Sequence, residues 1–97
     1  MRPSEVFEQN RALIREVASR YRVANPRIFG SVLHGDDKDG SDIDLVVDTL
    51  PGTSIFDLTG LQSDLEAALG VRVDIVTSKG LHRFIRDKVL AEALPAA

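Results

Sequence analysis

The stretch that decides the fold is Ile28-Phe29-Gly30-Ser31, ten further residues and then Asp42-Ile43-Asp44-Leu45-Val46-Val47-Asp48. In its second half apolar and acidic residues alternate, apart from Val46. This pattern predicts a strand, because successive side chains of a strand point to opposite faces. Asp42 and Asp44 therefore share one face, about 6.6 Å apart along the backbone. Two aspartate side chains at this spacing can converge on one metal ion or on a pair of metal ions, and Mg²⁺ prefers carboxylate oxygens as ligands.

Gly30 and Ser31 end a short apolar strand and open a turn. Glycine allows a close approach of the backbone, and free amides at such a turn can hold a phosphate group. The deciding stretch therefore combines a candidate phosphate site with a candidate metal site.

Periodicity and capping residues predict the elements around this stretch. In chain order they are a helix over 5–21 capped by Ser4, a strand over 27–29 with an alternative start at Val23, a helical turn over 31–34, a strand over 42–48, a helix that begins after Ser54 and ends before Gly70, a strand over 71–76 and a helix that begins near Gly80. The last helix is expected to bury a stripe of Leu81, Phe84, Ile85 and Val89. The tail over 94–97 is expected to fray.

The order α-β-α-β-α-β-α predicts an α+β domain with a three-stranded mixed sheet and helices packed on one face. Each strand has one apolar face, so the other face of the sheet is expected to be open. Asp74 lies on that open face, and neighbouring strands are about 4.8 Å apart, so it can join Asp42 and Asp44. At about 5 Å and an effective dielectric near 20, each pair of carboxylates repels by roughly 3 kcal/mol. Divalent cations would remove that cost.

The composition is that of one globular domain over residues 1–97, with 43% hydrophobic and 28% charged residues. Because there is no cysteine, disulfides and thiolate zinc sites are excluded. No apolar run is long enough for a membrane span or a signal peptide, so a cytoplasmic protein is expected. A net charge of −3 argues against broad nucleic-acid binding, although a short contact with an RNA end stays open.

The pattern Gly-Ser, ten residues, Asp-x-Asp resembles the signature of the DNA polymerase β nucleotidyltransferase superfamily. The short chain resembles its minimal nucleotidyltransferase (MNT) branch, the antitoxin half of HEPN/MNT toxin–antitoxin pairs. The resemblance implies that Asp42 and Asp44 bind two Mg²⁺ ions and that Asp74 positions the metal ion that activates the nucleophile. It also implies that Gly30 and Ser31 hold the β- and γ-phosphates of ATP.

The activity implied by the resemblance is transfer of AMP from ATP to a hydroxyl group of a partner protein. In the toxin–antitoxin branch this acceptor is a tyrosine near the ribonuclease site of the HEPN toxin. The chain is too short for a substrate-recognition domain of its own, so a partner is expected. Either the helix that carries Arg83, Arg86 and Lys88 or the acidic loop over 35–40 could face that partner.

His34 stands where relatives carry arginine, in a Gly-Ser-x-x-Arg-Gly pattern. The arginine guanidinium is always charged and can donate two hydrogen bonds to a phosphate, whereas a neutral histidine cannot. A second interpretation is therefore a non-catalytic antitoxin that covers its toxin. A third is a small-molecule nucleotidyltransferase, which is less favoured because those chains carry a second domain. The sequence leaves open the nucleotide, the acceptor, the number of AMP groups and the oligomeric state.

Overall fold

A four-stranded mixed sheet lies at the centre of the computed structural model, which describes residues 2–30 and 42–96. The strands are β1 (Val23–Phe29), β2 (Ile43–Thr49), β3 (Val73–Thr77) and β4 (Leu94–Pro95), in the order β3-β2-β1-β4. β1 is antiparallel to both β2 and β4, whereas β2 and β3 are parallel. The α+β class is confirmed, but the prediction of three strands is wrong by one.

Two short helices replace the single helix predicted over 5–21. They are α1 (Pro3–Gln9) and α2 (Arg11–Ala18), separated by Asn10. The side-chain amide of Asn10 donates a hydrogen bond to the carbonyl oxygen of Val6 at 2.8 Å, and such a bond competes with the helical ladder. The cap also differs from the prediction, because α1 begins after Arg2, whose N–H donates to the Glu5 carboxylate at 3.0 Å.

Helix α3 (Ile55–Leu69) connects β2 to the parallel strand β3 and follows the prediction closely. The N–H of Ser54 donates to Asp57 Oδ2 at 2.9 Å, and the N–H of Asp57 donates to Ser54 Oγ at 3.4 Å. This reciprocal pair is a capping box. Gly70 ends the helix with a φ of 72°, a left-handed conformation that favours glycine.

The main core lies between one face of the sheet and helices α1, α2 and α3. Its largest members are less than 2% exposed, so they drive the packing of the helices onto the sheet. They include Phe7, Ile14, Ile28, Ile43, Leu45, Val47, Leu61, Leu65 and Val73.

The tail over 94–97 was expected to fray, and for residues 94–96 this is wrong. Leu94 and Pro95 form β4 beside Ile28 and Arg27 of β1. Ala96 is completely buried, and its N–H donates to the carbonyl of Pro26 at 3.0 Å. This pairing depends on a strand far away in the chain, which local sequence patterns do not show.

Helix α4 (Arg83–Glu92) begins three residues later than predicted, where His82 Nδ1 accepts the N–H of Phe84 at 3.3 Å. None of its residues is buried, so the predicted buried stripe is wrong. Phe84 is 77% exposed and Ile85 50% exposed. Helical spacing predicts an apolar face, but it does not say whether another element covers that face. No helix in the described part of the chain is long and apolar enough to cross a membrane.

The second face of the sheet is not open throughout, which corrects a further prediction. Val46 lies on the same face of β2 as Asp44, two residues away, and it is completely buried. It does not belong to the main core on the opposite face. The face that carries the aspartates is therefore covered at Val46 and accessible near Asp42, Asp44 and Asp74, none of which is buried.

Candidate functional site

The parallel pairing of β2 and β3 brings two of the predicted site residues together. Asp44 and Asp74 are direct partners in the register, with Ile43 opposite Val73 on one side and Leu45 opposite Ile75 on the other. The apolar neighbours face the core, which turns both aspartates to the other face. Asp74 is exposed and Asp44 is half-buried.

The pKa of Asp44 is raised above its ordinary value. Burial is the largest cause, followed by the negative charges of Asp74 and Asp42 and by a hydrogen bond with Asp74. Burial and the neighbouring negative charges all disfavour the ionised form of Asp44. A proton or a cation between the carboxylates would relieve this cost. A set of hard carboxylate oxygens that repel one another suits a divalent cation such as Mg²⁺.

Asp42 is turned toward a different partner. Its Oδ1 lies 3.5 Å from Nε of Arg72, which precedes β3 and is 81% exposed in its side chain. Over residues 2–30 and 42–96, no group of three histidine or carboxylate side chains is close enough to hold a metal ion. The structure thus brings Asp44 and Asp74 together and holds Asp42 beside Arg72.

Gly30 lies against the Asp44 carboxylate at the end of β1. Its φ is +80°, and a Cβ built on it would lie 2.8 Å from Asp44 Oδ2. Only glycine fits this place without strain and without displacing the carboxylate. Ser31, the second predicted phosphate-binding residue, and His34 lie outside the described residues, as does the predicted helical turn over 31–34.

Arg72 is a residue of the site that the sequence reasoning did not single out. The signal was present, because Arg72 and Asp74 alternate with Val71 and Val73 and therefore fall on the same face. The spacing did not show which aspartate the guanidinium would approach.

A surface pocket of about 680 Å³ contains none of the predicted site residues. Three of its polar residues are paired with one another. The Arg27 guanidinium contacts Asp48 at 2.9 Å, and the Asn25 amide also donates to Asp48 at 2.9 Å. The hydrogen bond from Arg27 is the largest cause that lowers the pKa of Asp48 to about 2. The pocket is lined by Arg15, Ala18, Ser19, Val23, Ala24, Asn25, Pro26, Arg27, Asp48, Leu90 and Pro95.

Comparison with known proteins matches residues 11–95 to the nucleotidyltransferase domain family. The chain is 36% identical over 80 residues to the protein adenylyltransferase MntA of Thermococcus cleftensis, a match that covers 82% of this chain and 81% of that protein.

Solved structures share the fold. A structure provisionally assigned as a minimal nucleotidyltransferase superposes with a TM-score of 0.85 at 38% identity, covering 95% of this chain and 94% of that one. A chain from the complex of the tri-AMPylated Shewanella oneidensis HEPN toxin with its MNT antitoxin superposes with a TM-score of 0.69 at 18% identity, covering 94% and 71%.

The family match spans Gly30, Asp42, Asp44 and Asp74, and the minimal nucleotidyltransferase structure matches nearly the whole of both chains. This chain therefore belongs to the nucleotidyltransferase family and is a nucleotidyltransferase of the minimal type.

Proposed function

We propose that this nucleotidyltransferase transfers AMP from ATP to a tyrosine hydroxyl of a HEPN toxin and so acts as the antitoxin of that toxin. The observation that carries the proposal is the in-register pair of Asp44 and Asp74 beside Gly30. The relative named as a protein adenylyltransferase supports the reaction, and the complex of an AMPylated HEPN toxin with an MNT antitoxin supports a HEPN toxin as the acceptor protein. The choice of tyrosine follows from the family resemblance.

The residues present fit a magnesium site. Asp44 and Asp74 are partners in the register of β2 and β3, and Asp42 immediately precedes β2. Burial, followed by the negative charges of Asp74 and Asp42, raises the pKa of Asp44, and a cation would relieve the repulsion between these charges. Asp42 would be the third carboxylate if its side chain turned from Arg72 toward Asp44. Mg²⁺ held there would neutralise phosphate charge and favour ionisation of the attacking hydroxyl.

The chain's own residues orient the reactants. Gly30 leaves room for the Asp44 carboxylate, and Gly30 and Ser31 would hold the β- and γ-phosphates, as the resemblance implies. The tyrosine oxygen forms a bond to the α-phosphorus of ATP, the bond from that phosphorus to the bridging oxygen breaks, and pyrophosphate leaves. The hydroxyl proton passes to Asp74 or to water.

The test uses the purified chain, its cognate HEPN protein, ATP and Mg²⁺, with intact mass as the measurement. Wild type should add the mass of AMP to the partner, and Asp44→Asn should not. Glu16→Gln is the control, because it makes the same change from carboxylate to amide on the exposed surface of α2 and should label like wild type. Equal labelling by Asp44→Asn would contradict the proposal.

A second function, neutralisation by binding alone, is favoured by one observation. Asp42 contacts Arg72, so the described residues hold no ready-made group of three metal ligands. The same experiment separates the two functions. Full inhibition of the toxin without a change in its mass supports binding alone, whereas inhibition that requires ATP and follows the mass change supports AMP transfer.

A further inference from the structure

Helix α3 contacts the outer edge of β3 next to the aspartate pair. β3 is the last strand on its side of the sheet, and in a parallel pair alternate residues direct both backbone groups toward the neighbouring strand or away from it. The carbonyl of Arg72 accepts the N–H of Ile43 at 2.9 Å. Arg72 and Asp74 therefore direct their backbone groups toward β2, and Val73 directs its groups away.

Two side chains of α3 bind the outward groups of Val73. Gln62 Nε2 donates to the carbonyl oxygen of Val73 at 2.9 Å, and the N–H of Val73 donates to Glu66 Oε2 at 3.1 Å. Residues 62 and 66 are four apart and lie on one face of the helix. Each side chain suits the backbone group that it binds. The Gln62 amide can donate to the Val73 carbonyl, and the Glu66 carboxylate can accept from the Val73 N–H.

This arrangement fixes the residue that immediately precedes Asp74. The β2 ladder holds β3 from one side, and Gln62 and Glu66 hold it from the other. Asp74 is exposed, so its position depends on the backbone that carries it.

We propose that Gln62 and Glu66 are positioning residues that hold Asp74 opposite Asp44 and thereby set the affinity of the carboxylate site for divalent cations. This inference rests on the proposed function in one respect, namely that Asp74 belongs to the metal site. It extends that function to the opposite side of β3, to two residues that do not touch the reactants.

The experiment measures Mn²⁺ binding to the purified full chain without nucleotide, by electron paramagnetic resonance of the free ion. Glu66→Leu removes the acceptor and should weaken Mn²⁺ binding about tenfold, the lower end of the usual effect of residues that orient metal ligands. Glu66→Gln keeps an acceptor oxygen and should restore binding to within about twofold of wild type. If Glu66→Leu binds Mn²⁺ like wild type, the proposal is overturned.

Tyr21→Phe is the matched control for a general loosening of α3. The Tyr21 hydroxyl donates a hydrogen bond to Asp64 of α3, and this bond does not involve β3. This variant should lose stability but keep its affinity for Mn²⁺. If it weakens Mn²⁺ binding as much as Glu66→Leu, the effect is merely structural and the proposal fails. Should Glu66→Leu not fold, Gln62→Leu removes the other bond to Val73 and has the same expected result.

A double-mutant comparison shows whether Glu66 acts through Asp74. In an Asp74→Asn background, Glu66→Leu should weaken Mn²⁺ binding no further, since the group that it positions has gone. Additive losses would overturn the proposal. If Asp74→Asn alone leaves Mn²⁺ binding unchanged, Asp74 is not a ligand, and the assigned metal site fails together with the inference. If Asp74→Asn weakens binding and Glu66→Leu does not, only the positioning role fails.

Discussion

At Asp44, burial and two neighbouring carboxylates raise the pKa of the folded state above that of the unfolded chain. A group shifted in this direction stabilises the fold only at low pH, and that contribution is lost as the pH rises through the folded-state pKa. At neutral pH the ionised carboxylate therefore destabilises the metal-free fold.

Asp44→Asn should accordingly make the metal-free chain more stable at pH 7. The substitution keeps the shape of the side chain and removes its repulsion with Asp42 and Asp74. The expected gain in the free energy of unfolding is on the order of 1–2 kcal/mol, because water and salt screen a partly exposed site. Thermal melting in the presence of a chelator measures it, and a lower melting temperature for the variant would contradict the repulsion.

Asp48 shows the opposite shift, since its hydrogen bond with Arg27 lowers its pKa to about 2. The stability that this pair contributes is present above the unfolded-state pKa of about 3.9 and is lost as the pH falls toward 2. Asp48→Asn should cost about 1 kcal/mol at pH 7, a value reduced for solvent screening, and only a small part of that at pH 2, where about half of the folded chains carry a protonated Asp48. Urea unfolding at both pH values tests this. A loss of equal size at both would mean that the charge of Asp48 is not responsible.

Gly30 and Gly70 form a natural pair of test positions. Both have positive φ, but a Cβ at Gly30 would meet Asp44 at 2.8 Å, whereas a Cβ at Gly70 would meet nothing within 4 Å. Alanine at either position should cost about 1 kcal/mol of backbone strain. Only Gly30→Ala should also displace the Asp44 carboxylate and reduce AMP transfer, by at least about tenfold. Equal activity of the two variants would remove Gly30 from the site.

At the scale of elements, α4 differs from the core helices because none of its residues is buried. Phe84 is 77% exposed. Its ring lies about 5 Å from the Arg83 guanidinium and about 5 Å from the His82 ring. Phe84→Ala should therefore cost less than about 1 kcal/mol. Phe7→Ala, at a side chain that is 1% exposed, should cost about 3–5 kcal/mol. Denaturant unfolding of both variants tests the contrast.

Both ends of α3 were predicted well from the sequence. The capping box of Ser54 and Asp57 and the left-handed Gly70 mark the ends of α3 by local chemistry alone. The break at Asn10 and the strand at Leu94–Pro95 were missed. The break depends on how a side-chain amide competes with the helix, and β4 depends on hydrogen bonds to a strand some 67 positions earlier.

The same distinction holds for the site. Alternation along β2 and β3 was enough to place Asp42, Asp44 and Asp74 on one face, because strand periodicity is local. It was not enough to show that Asp42 approaches Arg72 or that Gln62 and Glu66 bind the backbone beside Asp74. These contacts depend on side-chain torsions and on the packing of α3 against β3.

For the whole molecule, ligand binding at the aspartates should change the global stability. Mg²⁺ with a non-hydrolysable ATP analogue binds only the folded state and should raise the melting temperature of wild type. Asp44→Asn should bind them poorly, so the ligands should reverse the order of stability found without metal. Thermal melting of both proteins with and without ligands tests this. An equal rise for both would argue against a shared metal site.

The outermost strands of the described sheet share one property. On the β3 side, Gln62 and Glu66 occupy the outward backbone groups of Val73. On the β4 side, Pro95 has no N–H to offer, and its carbonyl accepts a hydrogen bond from Arg11 at 3.4 Å. Each edge is therefore interrupted by a side chain or by proline.

Recognition by β-augmentation needs a continuous row of free N–H and C=O groups. A toxin, or a second copy of this chain, would find only a short run of such groups at either edge. The interrupted edges thus direct binding toward side-chain surfaces, and they protect the chain from the edge-to-edge aggregation to which small open sheets are prone.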